Sequence, residues 1–133
     1  MGAWGMGPFE NDDALDWVSD LSEGGVKCLT ATFKELPKSK PDDDIETGQC
    51  CNAIAAAEVV AAMNGRGLKD LPEEITEWLA TKPKSTPELV ALARSAIERI
   101  GKDSELKDCW DEADPEDAKQ WYASLKDLTN RLG

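Results

Sequence analysis

Four aspartates, Asp12, Asp13, Asp16 and Asp20, recur about one helical turn apart. A D-D-x-x-D cluster of this kind suits Mg²⁺ held against substrate phosphates, because hard cations take oxygen ligands. The same residues have a plainer use. Asn11, Asp12 and Asp13 are good helix caps, and carboxylates in a first helical turn are favoured by the macrodipole. A phosphate-handling enzyme would also need a basic or glycine-nest clamp, which the sequence does not convincingly supply. No metal site and no cofactor are expected.

Glu58 is the other carboxylate of interest. Its neighbours three and four residues away, Ile54, Ala55, Ala61 and Ala62, are all apolar, which places it near a core. Without a partner there, its pKa would rise and it would serve as a general acid or base. With a donor it becomes a structural acceptor, which is the expected role. The indole N–H of Trp4 and the backbone amides of the glycine-rich opening are the expected donors, so Trp4 and Glu58 are expected to form a structural polar pair.

The remaining reactive side chains point away from catalysis. The chain has no histidine, which removes the usual proton shuttle near neutral pH, the commonest metal ligand and any catalytic triad. Cys28, Cys50, Cys51 and Cys109 show no C-x-x-C spacing, and a bond between the adjacent pair would be strained. Reduced thiols in a cytoplasmic protein are expected, with Cys50 and Cys51 as small core residues. No catalytic residue is assigned. The tryptophans Trp4, Trp17, Trp78, Trp110 and Trp121 are numerous for 133 residues and read as core knobs, one or two of which would mark a binding hot spot if exposed.

Charge narrows the partners. With 27 acidic and 15 basic residues the net charge is −12, which repels phosphate backbones and anionic lipid and attracts a basic protein patch. Neither nucleic acid nor membrane is an expected partner. No secretory leader pattern is present and no apolar run approaches the ~20 residues of a membrane span. Gly2 invites myristoylation, but Met6 stands where that motif requires Ser or Thr.

The periodicity that must position these groups is helical almost throughout, and no stretch alternates as a strand would. After a glycine-rich arm holding Gly2, Gly5 and Gly7, a first helix is expected from about Asp12 to Leu21, with Leu15, Trp17 and Val18 inward and Gly24-Gly25 ending it. A second is expected from Val26 to Leu36, stopped by Pro37. Residues Pro37 to Asp44 form a polar link with the acidic triplet Asp42, Asp43 and Asp44. A third helix, about Ile45 to Asn64, is apolar on every face from Ala53 to Met63 and belongs at the centre of a bundle. A fourth begins at Pro72 and carries Ile75, Trp78 and Leu79. A fifth runs from Thr86-Pro87-Glu88 to Ile100, and a short one leads from Asp103 through Trp110. The last starts at Asp114-Pro115 with a stripe of Trp121, Leu125, Leu128 and Leu132. The expected fold is therefore all-α: one compact bundle of about six helices around the alanine-rich helix, in a single domain spanning residues 1–133.

The opening residues Gly2-Ala3-Trp4-Gly5, Gly7, Phe9 and Glu10-Asn11-Asp12 resemble the G-A-W-G-x-G-x-F-[DE]-N-D start of a bacterial family described only as domain of unknown function 4259. The likeness extends to Glu58 in its alanine-rich helix, to Ser104-Glu105-Leu106 with Trp110 and Glu112, and to the closing Leu128 to Leu132. It implies a fold and no activity.

Three functions fit these features. The first is a non-enzymatic acidic protein-binding domain, such as an inhibitor or immunity-type protein that neutralises a basic toxin. Its expected binding residues are Trp4, Asp12, Asp13, Asp16, Asp20, Asp42, Asp43 and Asp44. The second is a Mg²⁺-dependent hydrolase built on carboxylates alone, with Asp12, Asp13, Asp16 and Glu58 in one cleft. The third is an acidic nucleic-acid mimic, which the interspersed lysines disfavour. The missing catalytic equipment favours the first.

Overall fold

The residues from Ala53 to Ala61, apolar but for Glu58, lie in a helix in which every one of these positions is buried. In the computed structural model this helix is α3, Thr47–Met63. It touches all five of the other helices described: α1 (Asp12–Gly24), α2 (Val26–Lys34), α4 (Glu73–Leu79), α5 (Pro87–Lys102) and α6 (Pro115–Arg131). The structure describes residues 12–34, 47–65, 73–81, 86–102, 110–112 and 114–132, and among them it contains no strand. The alanine content has a geometric purpose. Ala53, Ala55, Ala56, Ala57 and Ala61 are fully buried, and side chains this short let neighbouring helices approach from several sides without leaving voids.

The fold is thus the all-α bundle around the alanine-rich helix that the periodicity predicts. The expected glycine-rich arm, the Pro37 to Asp44 link and most of the short helix after Asp103 lie outside the described residues, as do the side chains of Asp12, Asp13 and Leu15.

α1 runs to Gly24, three residues past the expected end at Leu21. The helix breaks at Gly25, whose φ of +63° is closed to most side chains. The Gly25 N–H donates to the Leu21 carbonyl at 2.8 Å, closing α1, and the Cys28 N–H donates to the Gly25 carbonyl at 2.9 Å, opening α2. The two helices are then fastened by a buried relay. Trp17 Nε1 donates to Thr32 Oγ1 at 2.7 Å, and that hydroxyl donates to the Cys28 carbonyl at 2.7 Å. Trp17 therefore buries its ring without orphaning its N–H.

α5 and α6 complete the core. Leu89, Ala93, Ala96, Ile97 and Ile100 face inward at helical spacing, and α5 continues two residues past the expected end at Ile100. α6 starts as its sequence dictates: the Asp114 carboxylate accepts from the Glu116 N–H at 2.9 Å, and Pro115 occupies the first turn, where no N–H is needed. Its stripe of Trp121, Leu125, Leu128 and Leu132 is buried. Trp110 stacks on Trp121, with centroids 6.3 Å apart, and Tyr122 OH donates to Asp111 at 2.6 Å, so residues 110–111 are held against α6.

Candidate functional site

The carboxylates of this protein fall into two environments. Glu58 is 2 % exposed on the central helix, where its apolar neighbours put it. Its partner is Arg131, in the last turn of α6: Nη1 donates to Oε2 at 2.8 Å and Nη2 to Oε1 at 2.6 Å, a two-pronged pair between residues 73 apart in the chain. Arg131 Nε also donates to Asp127 one turn earlier at 2.8 Å. The hydrogen bonding that the guanidinium donates to Glu58 is the main cause that raises the Arg131 pKa, against the opposing effect of burial, with Asp127 adding to it. The guanidinium stays charged, and both carboxylate oxygens of Glu58 are engaged.

The expected donor to Glu58, Trp4, lies outside the described residues, and sequence reasoning did not find Arg131. The available signal was slight: a single arginine three residues after Leu128 and next to Leu132, on the flank of a buried stripe. Nothing local links it to Glu58.

The second environment is the surface of α1 and α4. α1 holds five acidic residues, Asp12, Asp13, Asp16, Asp20 and Glu23, and no basic one. α4 holds Glu73, Glu74 and Glu77, again with no basic residue. The two helices pack against each other. Asp16, Asp20 and Glu23, spaced by four and three residues, form one exposed stripe, while Trp17, Val18 and Leu21 on the other side are buried. Glu73, Glu74 and Glu77 are also exposed, and among the described residues no cation pairs with any of these six carboxylates. The glutamates of α4 were not among the expected site residues, because only the packing of α4 on α1 brings them beside the aspartates. Asp42, Asp43 and Asp44 lie outside the described residues.

These environments do not merge. Asp16 is exposed, whereas Glu58 is enclosed and paired with Arg131, and the side chains of Asp12 and Asp13 lie outside the described residues. Among the described residues no three side chains of the metal-ligating types come together, and no helix is long and apolar enough to cross a membrane.

No curated protein and no solved structure matches the chain. The model of a family described as a domain of unknown function, DUF4259, matches residues 2–124, which include Glu58, α1 and α4 and stop short of Arg131. With nearly its whole length matched, the chain belongs to the DUF4259 family.

Proposed function

We propose that this protein is a non-enzymatic acidic binding domain that docks a basic protein, in the manner of an immunity-type inhibitor covering the positive face of a toxin. The observation that carries this reading is that every charged residue of two adjacent helices, α1 and α4, is acidic, in a molecule whose α5 and α6 mix both signs of charge. Such a surface accelerates encounter with a cationic partner and discriminates against anionic ones. The pairing of Glu58 with Arg131 supports it further, since Glu58, the one buried carboxylate among the described residues, is committed to a cation. The buried thiols Cys50 and Cys51 suit a reducing cytoplasm.

The test compares two baits, the wild-type protein and a variant with Asp16→Asn, Asp20→Asn, Glu73→Gln and Glu74→Gln, in affinity capture from the native host at low and high salt. The expected result is a basic partner retained by the wild type at low salt, released at high salt and poorly retained by the variant. Acidic or uncharged partners, indifferent to salt and to the substitutions, would overturn the reading.

A further inference from the structure

The described asparagines Asn52, Asn64 and Asn130 stand in three different settings. Asn52 lies in the body of α3, with its side-chain oxygen enclosed and without a hydrogen-bond partner. Asn130 is exposed, but the chain that follows it is held down: Arg131 is paired with Glu58, and Leu132 is buried with its N–H on the Leu128 carbonyl at 3.0 Å. Asn64 is exposed just beyond Met63, the last residue of α3, and the residue after it is Gly65, also exposed.

Gly65 marks the point where the central helix releases the chain. Its φ of +79° is the left-handed conformation common at a helix C-terminus, and a Cβ built there would meet nothing within 4 Å. The Asn64 N–H is shared between the Val60 and Ala61 carbonyls at 3.3 and 3.1 Å, and the Gly65 N–H donates to the Ala62 carbonyl at 3.0 Å. Hydrogen bonds at a helix end are the ones that open most readily. Once the Gly65 N–H is released, its nitrogen has no side chain beside it and open space around its Cα. The carboxamide carbon of Asn64 is then close enough along the chain for the two to close a five-membered ring.

We propose that Asn64-Gly65 is a modification site at which the side-chain amide is lost, with water as the only co-reactant. Hydroxide takes the proton of the Gly65 N–H, and the nitrogen bonds to Asn64 Cγ. The bond from Cγ to the amide nitrogen breaks, and ammonia leaves with a proton from water, which restores the hydroxide and leaves a succinimide. Water then opens the ring on either side. Breaking the new N–Cγ bond gives aspartate, and breaking the original peptide bond gives isoaspartate, whose main chain is one carbon longer. Nothing is oxidised or reduced. Either product sets a carboxylate at the negative end of α3, whose last turn holds no basic residue to offset it. The change therefore falls on the helix against which all the other described helices pack.

The test ages the whole protein in H₂¹⁸O at neutral and mildly alkaline pH and follows it by peptide mapping, with isoaspartyl methylation to find the isomerised product. The expected result is ¹⁸O-labelled aspartate and isoaspartate in place of Asn64, formed in proportion to hydroxide, while Asn52 and Asn130 convert more than about tenfold more slowly. The rate at Asn64 should lie within about tenfold of its rate in the guanidinium-unfolded chain, since a fraying helix end costs little to open. Asn64→Gln should all but abolish the reaction, because the longer side chain must close a six-membered ring. Gly65→Ala should slow it several-fold in the unfolded chain, where the added Cβ hinders the attacking nitrogen without the strain of a positive φ. An intact Asn64 in the folded protein beside ready conversion in the unfolded one would show that the helix end stays shut and would overturn the proposal. Conversion at Asn130 keeping pace with Asn64 would overturn it as well.

Discussion

Glu58 and Glu77 are both glutamates on helices, yet the molecule uses them in opposite ways. Glu58 is enclosed on α3 and gripped by Arg131 from α6, so its charge is spent inside the protein. Glu77 stands exposed on α4 beside the equally acidic α1, and among the described residues no cation answers it. The seam of α3 with α6 is thus a place where a carboxylate holds the fold together. The surface of α1 and α4 is a place where carboxylates repel one another and remain available. The difference lies in whether a cation is folded against the acid, and neither glutamate carries that information in its own neighbourhood.

This contrast predicts opposite responses to mutation. The largest loss belongs to Arg131→Ala, which leaves Glu58 buried without its cation. Stability should fall by about 3 kcal/mol, the lower part of the range for a broken buried pair, because Arg131 keeps 19 % of its side chain exposed. Urea unfolding measures it. The double variant Glu58→Leu with Arg131→Leu should regain most of the loss, and a double variant as unstable as Arg131→Ala would show that the seam depends on more than this pair. The raised pKa of Arg131 sets the pH window. Its contribution is fully present below the ordinary guanidinium value and disappears only as pH rises through the still higher folded value, so the loss should be equal at about pH 7 and about pH 10.

Thr32→Val comes next. It removes the acceptor of the Trp17 N–H, in buried surroundings, and the donor to the Cys28 carbonyl, in partly buried ones. A cost of about 2 kcal/mol is expected by chemical denaturation, and a shift below a few tenths would mean that water replaces the relay. Gly25→Ala should cost about 1 kcal/mol, because φ is +63° there and the added Cβ meets nothing closer than Trp78 at 3.9 Å. A larger thermal shift than that value implies would point to a clash at the indole.

On the acidic surface the sign reverses. Glu23→Gln and Glu77→Gln each remove a charge that a helix end and its acidic neighbours disfavour, so each should stabilise by about 0.3 kcal/mol at low salt, a gain that added salt should shrink. A loss in either variant would place an undetected cation beside that glutamate and erase the distinction between the two regions.

Much of the scaffold is legible from local pattern. The all-round apolar run from Ala53 to Met63 announces a central helix, Asp114-Pro115 announces the start of α6, and the Trp121, Leu125, Leu128 and Leu132 stripe is buried as its spacing requires. Such features follow from helical periodicity and capping, which act within a turn or two. The ends of α1 and α5 were less legible, since a helix continues for as long as packing rewards it, past the last strongly apolar residue. The exposure of Asp16 and Asp20 also accords with periodicity, as they lie opposite the buried face of Trp17, Val18 and Leu21.

By itself, then, the amino-acid sequence determined the helices, the identity of the central one, the family and the excess of negative charge. Each of these depends on residue type or on spacings of a few positions. Only the tertiary structure decided that Glu58 meets Arg131, that α4 adds its glutamates to the aspartates of α1, and that Trp78 stands at the end of α1. Such pairings join residues many turns apart. They are set by which helix faces pack together, and a charge has no local period that would reveal its partner.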